Sequence, residues 1–238
     1  MSSLWKRVTA AHAQFVTTGY LRIMEPIAGV LIKLGISANA LTTIGTLSTV
    51  AAGVTFGLGY IRTAGIIIAV TAIADALDGV VARRTNNVTV FGAFYDSTLD
   101  RIADGALLAG LAYFYAVNAI HSNKLMLVVC LAGIIGTYLV SYARARAEAL
   151  GINAKVGFMQ RAERLILLSA PQALFGLTLD GWVLAGVVVL LTVSSWHTAI
   201  LRINYVRRST LVDMPPSLRV LNEKQPAIGI RSTRRARP

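Results

Sequence analysis

Acidic residues are scarce in this 238-residue chain, which has 11 Asp and Glu against 23 Lys and Arg and only 14% charged residues in all. Soluble domains carry about a quarter, so an ordinary solvated surface is excluded for much of the molecule. Cysteine is almost missing. Cys130, in "LMLVVCLAG", is the only one, which rules out a disulfide framework and leaves the expectation of a small buried apolar side chain. The three histidines, His12, His121 and His197, are scattered, so no thiolate or imidazole cluster is available for a structural zinc site. The N-terminal "MSSLWKRVTAAHAQF" lacks the unbroken apolar segment of a cleavable signal peptide, and none is expected. What remains is apolar: 55% hydrophobic residues, a mean hydropathy of +0.62 and a pI near 10.4. Such a composition describes a basic membrane protein.

A bilayer-crossing helix needs about 20 mostly apolar residues. Candidate spans lie near 38–60, 61–84, 92–118, 124–148, 161–179 and 181–207. The alternative, a soluble helical bundle, would require polar helix faces that these segments lack. Only Arg62 and Lys124 fall in the short loops after the first and third spans, and the other 21 basic residues gather at the opposite ends. This asymmetry predicts an all-α, six-span, multi-pass protein of the cell (inner or plasma) membrane with both termini in the cytoplasm. Residues 1–37 read as an amphipathic interfacial helix and linker, with Trp5, Phe15 and Tyr20 interleaved among Lys6, Arg7 and Arg22 and a break at Pro26. Residues 38–208 form the membrane domain. Residues 209–238, with "MPPS" and "RSTRRARP", read as a basic, mostly disordered cytoplasmic tail. The basic surplus is matched to membrane lipid headgroups, with no nucleic-acid partner expected.

The few acids are not spread evenly. Four aspartates fall in "DALDGVVARRTNNVTVFGAFYDSTLD", residues 75–100, between apolar flanks. On helices, Asp75, Asp78, Gly79 and Ala82 share one stripe, and Gly92, Asp96 and Asp100 repeat at i+4 on another. The short connection predicts an antiparallel pair able to point four carboxylates at one spot near the cytoplasmic surface. Four anions that close repel unless cations sit among them, and acids in membrane segments are functional candidates because their burial is costly. An all-oxygen set favours Mg²⁺ or Mn²⁺, with Ca²⁺ possible. Four carboxylates suit two such ions, an arrangement recurrent in phosphate chemistry. A cation transporter using the acids as its pathway is the rival from another class, but no internal repeat of the kind transporters often show is evident.

Asp75-x-x-Asp78-Gly79-x-x-Ala82-Arg83, eight residues, then Gly92-x-x-x-Asp96-x-x-x-Asp100 resembles the complete signature of the CDP-alcohol phosphotransferase family, with every fixed position and spacing present. The resemblance implies an integral membrane enzyme that transfers a substituted phosphate from a CDP-linked donor, usually CDP-diacylglycerol, to an alcohol and releases CMP. Carried over by position, Asp75, Asp78, Asp96 and Asp100 would hold two Mg²⁺ or Mn²⁺ ions against the donor pyrophosphate. Asp100 would also be the base. Gly79 and Ala82 would make room for cytidine, Arg83 would contact the diphosphate, and Thr42, in "SANALTT", would line the nucleotide pocket. Relatives form homodimers, and the same is expected here.

The second half of the chain bears on the acceptor. Ser141-Tyr142-x-Arg144-Ala145-Arg146-Ala147-Glu148, Arg161-Ala162-Glu163-Arg164-Leu165 and "YDSTLDRIADGALLAGLA" resemble one bacterial branch, the phosphatidylinositol phosphate synthases. In that branch an inositol phosphate is the acceptor. The resemblance places Ser141, Arg144, Arg161 and Arg202 in its phosphate pocket, with Arg164 a further candidate. Where the branch has proline after the first arginine of the fifth-span motif, this chain has Ala162. Guanidinium groups converging beside a metal centre suit a phosphorylated acceptor, although arginines also collect at cytoplasmic helix ends for topological reasons. Glycerol 3-phosphate, giving phosphatidylglycerol phosphate, is the alternative acceptor.

Overall fold

The computed structural model describes residues 25–85, 89–157, 159 and 161–212, and every regular element among them is helical. Helix α1 covers residues 25–33. It is followed by α2 (Ala38–Gly57), α3 (Ile61–Arg84), α4 (Val90–Val117), α5 (Lys124–Ala149), α6 (Arg161–Phe175) and α7 (Trp182–Val212). A single 3₁₀ turn, Leu179–Gly181, leads into α7. The helix bounds lie within a few residues of the six segments read from hydropathy. α7 runs four residues past 208, because no breaker interrupts the sequence before Pro215. The expected interfacial stretch 1–24 and the tail from 213 lie outside the described residues.

Polar side chains fix several helix starts. Ser37 Oγ accepts from the Ala40 amide at 3.2 Å, Thr89 Oγ1 from the Gly92 amide at 2.9 Å, and Asn123 Oδ1 from the amides of Leu125 and Met126. Each satisfies amides that the first turn leaves without a carbonyl partner.

The six long helices close a ring in the order α2, α3, α6, α7, α5, α4, each packing on its two neighbours. The expected α3–α4 pair is therefore not the unit of packing: both helices rest on α2, which stands between them. The reason is close approach through glycine. A Cβ on Gly110 of α4 would run into the Gly53 carbonyl oxygen of α2, and one on Gly53 would run into the Ala106 carbonyl oxygen. Only bare backbone permits this contact. Phe56, Ile68, Leu107, Leu111, Phe114, Cys130, Leu165, Leu184 and Val188 fill the ring interior. Cys130 is fully buried, as expected of a small apolar side chain.

The outside of the ring is apolar too. Ile44, Leu47 and Val54 on α2, Ile66, Val70 and Ile73 on α3, and Leu125, Val128, Leu131 and Ile135 on α5 are all exposed. Among the described residues, four segments are long and apolar enough to cross a membrane: Ala38–Gly57, Ile61–Arg84, Lys124–Ala149 and Leu179–Thr210. α4 is long enough but carries Asp96, Asp100, Arg101 and Asp104, and α6 has only 15 residues, about 22 Å of helix. The up-and-down course brings the starts of α2, α4 and α6 and the ends of α3, α5 and α7 to one end of the bundle. Helix α1 covers part of that end, packing Ala28 among Leu41, Leu77, Val80 and Val81 and receiving an Arg84 hydrogen bond on the Glu25 carbonyl.

Candidate active site

All four aspartates of the motif stand at this common end, Asp75, Asp78 and Asp100 half-buried and Asp96 exposed, and α2 positions two of them. Thr42 donates its hydroxyl to Asp78 Oδ2 at 2.8 Å. Asp75 rests over Gly45, where a Cβ would come within 2.6 Å of its Oδ1; glycine at 45 is what lets the carboxylate lie there. From α4, Asp96 and Asp100 face the same region. Asp78 is within electrostatic range of Asp75 and Asp96, and Asp100 within range of Asp96 and Asp104. Spacing on two helices brought these acids to one end, and α2 set their distance apart.

A cation from a third helix enters this cluster. Arg161, the first residue of α6, places Nη1 2.8 Å from Asp75 Oδ2 and 3.1 Å from Asp100 Oδ1, with Nε 3.6 Å from Asp104 Oδ1. Among the described residues, no three carboxylates converge closely enough as they stand to share one ion. The expected single focal point is thus replaced by carboxylates divided between partners: Asp78 turns to Thr42, and Asp75 and Asp100 turn to Arg161. The donor set nonetheless fits Mg²⁺ or Mn²⁺ in kind, since it is all anionic oxygen and already draws a cation between α3 and α4. Repulsion among unscreened carboxylates is the reason some positive group must sit there.

Beside the acids opens a cavity of about 1120 Å³. Asp96 and Asp100 are among its lining residues, as are Ser141, Arg144, Arg161, Arg164 and Arg202. All five residues assigned to the acceptor pocket therefore come together, from α5, α6 and α7. Each is held. Arg144 pairs with Glu148 at 2.9 Å, Arg164 with Asp104 at 2.9 Å, and Ser141 donates to the Thr137 carbonyl at 3.3 Å. Arg202 donates from Nε to the Val156 carbonyl at 2.9 Å and from Nη1 to that of Val140. It also stands within electrostatic range of Arg144, Arg164 and Arg101. A concentration of guanidinium groups in a cavity shared with carboxylates is suited to a substrate that brings its own negative charge.

The residues assigned to the donor lie on the other side of the acids. Thr42 touches Asp78, and the exposed Arg83 folds back over Gly79, its Nη1 3.3 Å from where a Cβ of that glycine would be. Ala82 is half-buried on the same stripe. None of Thr42, Asp75, Gly79, Ala82 or Arg83 lines the large cavity, so the residues assigned to the donor stand apart from those assigned to the acceptor.

Sequence reasoning passed over three participants. Asp104 continues the series Gly92, Asp96, Asp100 by one more i+4 step and is 8% exposed; the periodicity was its signal. Arg101 lines the cavity and approaches Asp100 at 3.4 Å. Gly45 had no signal in the sequence, because its importance is the neighbour it admits.

Known proteins resemble this chain over most of its length. The family profile described as CDP-alcohol phosphatidyltransferase matches residues 35–212. The chain is 35% identical to a phosphatidylinositol phosphate synthase of Mycobacteroides abscessus over 80% of its length and 86% of the relative's. It is 40% identical to an archaetidylinositol phosphate synthase of Pyrococcus horikoshii over 76% of its length and 88% of the relative's. Among solved structures, the phosphatidylinositol phosphate synthase of Mycobacterium tuberculosis with CDP-DAG bound superposes with a TM-score of 0.71 at 32% identity, covering 78% of this chain and 94% of that one. The same enzyme in complex with manganese and citrate gives a TM-score of 0.70 at 32% identity, covering 77% and 88%. With a signature that fills one end of the bundle and a profile that spans all six long helices, the chain belongs to the CDP-alcohol phosphatidyltransferase family.

Proposed function

We propose that the protein is a phosphatidylinositol phosphate synthase, transferring the phosphatidyl group of CDP-diacylglycerol to a hydroxyl of an inositol phosphate. The acceptor oxygen bonds to the lipid-side phosphorus of the donor, the P–O bond to CMP breaks, and the hydroxyl proton passes to a carboxylate. The observation that carries this reading is the shared cavity, lined by Asp96 and Asp100 together with Arg144, Arg161, Arg164 and Arg202. An uncharged alcohol would leave those arginines without a counter-charge from the ligand.

Each group of residues then has a task. Asp100 takes the proton from the acceptor hydroxyl, because it lines the acceptor cavity and also borders the acid cluster. Arg144, Arg161, Arg164 and Arg202, with Ser141, bind the acceptor phosphate. Thr42, Gly79, Ala82 and Arg83 receive the CDP moiety on the far side of the acids. Asp75, Asp78, Asp96 and Asp100 would hold divalent cations, two by the count of carboxylates, and the manganese in the M. tuberculosis relative supports this choice. Bound there, Mg²⁺ or Mn²⁺ offsets charge on the donor pyrophosphate and on departing CMP. Arg161, which borders both the acids and the cavity, exchanges Asp75 and Asp100 for the acceptor phosphate.

The membrane arrangement follows the same logic. Six long helices cross the bilayer, α4 and α6 included, with Asp96, Asp100, Arg161 and Arg164 lining the cavity and Asp104 buried. The acid-bearing end faces the cytoplasm of the cell membrane, where Lys and Arg concentrate. Dimerisation is adopted from the resemblance to the family.

The test is a radiolabel transfer assay in detergent or proteoliposomes, with CDP-diacylglycerol, Mn²⁺ and either inositol phosphate or glycerol 3-phosphate. CMP release with a phosphorylated inositol lipid as product is expected. Turnover with glycerol 3-phosphate alone overturns the acceptor, and full rate after exhaustive chelation overturns the metal requirement.

A further inference from the structure

Arg161 and Arg164 stand three residues apart at the start of α6, so their side chains leave the same face of the helix. Both line the cavity, where Arg144, Arg202 and Arg101 also lie. So many guanidinium groups in one partly desolvated place repel one another, and each long side chain has rotamers that would carry it to solvent. Something must hold the pair inward before any ligand arrives. One residue does. Asp104, a turn below Asp100 on α4, is buried and contributes no surface to the cavity. Its Oδ2 accepts from Arg164 Nη2 at 2.9 Å, and its Oδ1 lies 3.6 Å from Arg161 Nε. The two oxygens of one carboxylate are thus divided between the two arginines.

We propose that Asp104 is a positioning residue for the acceptor: it fixes Arg161 and Arg164 as a paired phosphate clamp at the cavity wall without itself touching substrate. The proposal rests on the reading of this cavity as the acceptor site. Its position explains the division of labour along α4, where Asp96 and Asp100 border the cavity and Asp104 stands behind the arginines. A carboxylate suits the task because it can accept from two guanidinium groups at once and supplies the fixed negative charge that lets them sit together. The 3.6 Å approach of Asp104 to Nε is an ion-pair contact without a hydrogen bond, and it lies on a different edge of the guanidinium from the Nη1 contacts to Asp75 and Asp100, so the two do not compete.

The experiment is steady-state kinetics of the full-length Asp104→Asn protein with Mn²⁺, varying acceptor and donor separately. The amide keeps the shape but loses the charge and one acceptor oxygen. The expected result is a KM for inositol phosphate raised tenfold or more, with kcat at saturating acceptor and KM for CDP-diacylglycerol both within twofold of wild type. A purely structural ion pair would disturb both substrates together, and equal changes in the two KM values, or an acceptor KM within twofold, overturn the proposal. If Asp104→Asn does not fold, Asp104→Glu decides in its place. Moving the carboxylate by one methylene displaces the clamp and raises acceptor KM at least threefold with donor KM unchanged, and an unchanged acceptor KM overturns the proposal. Failure of the functional reading looks different, because wild-type protein itself then gives no product with inositol phosphate. If wild type instead uses glycerol 3-phosphate, the same KM comparison is made with that acceptor.

Discussion

The two ends of the helix ring solve opposite problems. Away from the acids, α2 and α4 are pressed together until the Gly53 and Gly110 backbones touch, and large apolar side chains fill the ring interior around them. At the acid end, α3 and α4 carry like charges that repel, and uncharged α2 and the start of α6 tie them through polar contacts: Thr42 to Asp78, Thr43 to the Tyr95 hydroxyl at 2.9 Å, and Arg161 to Asp75 and Asp100. One end is held by contact that tolerates no added atom. The other is held by contacts that a ligand can replace, which is what a site needs when charge must enter and leave.

That contrast can be broken at either end. The largest effect is expected at the glycine crossing: Gly110→Val puts side-chain atoms where the Gly53 carbonyl stands and should give no folded protein, read by detergent-extracted yield and thermal unfolding. Asp100→Asn should do the reverse. It should keep the fold and most CDP-diacylglycerol binding while turnover falls by about 10³-fold, within the range for loss of a general base; retained activity in the transfer assay would remove Asp100 from that role. Arg202→Gln comes next, raising acceptor KM about tenfold or more, as expected for a lost charged hydrogen bond of about 1.5–3 kcal/mol, with donor KM unchanged. Gly45→Ala, where the two regimes meet on α2, should move Asp75 and weaken Mn²⁺ binding by about threefold to tenfold, measured by paramagnetic titration on a protein of normal stability. Unaltered Mn²⁺ affinity there would separate Asp75 from the metal.

Much of this was legible beforehand, and the residues show why. Asp75 and Asp78, then Asp96 and Asp100, have spacings that a helix converts directly into shared faces, so their gathering needed no tertiary information. The same periodicity pointed to Asp104, one step further on, and the count stopped short of it. The helix bounds followed from apolar length and from breakers. The pairing of α3 with α4 was misread because a short connection suggests adjacency, while the glycine contact that inserts α2 between them depends on positions 53 and 110, far apart in the chain. The arginines assigned to the acceptor were found by resemblance to a branch of the family. Their convergence on one cavity required the ring.

Sequence alone determined that this chain is a bundle of apolar helices with carboxylates clustered at one end, because composition and i, i+4 spacing are local properties that survive any packing. Tertiary structure decided which helix stands between the acids, that Gly45 leaves space for Asp75, and that Arg161 and Arg164 share Asp104. Those facts depend on distances between residues tens of positions apart, and in a protein whose helices are apolar inside and out, such distances are set by where backbone can approach backbone.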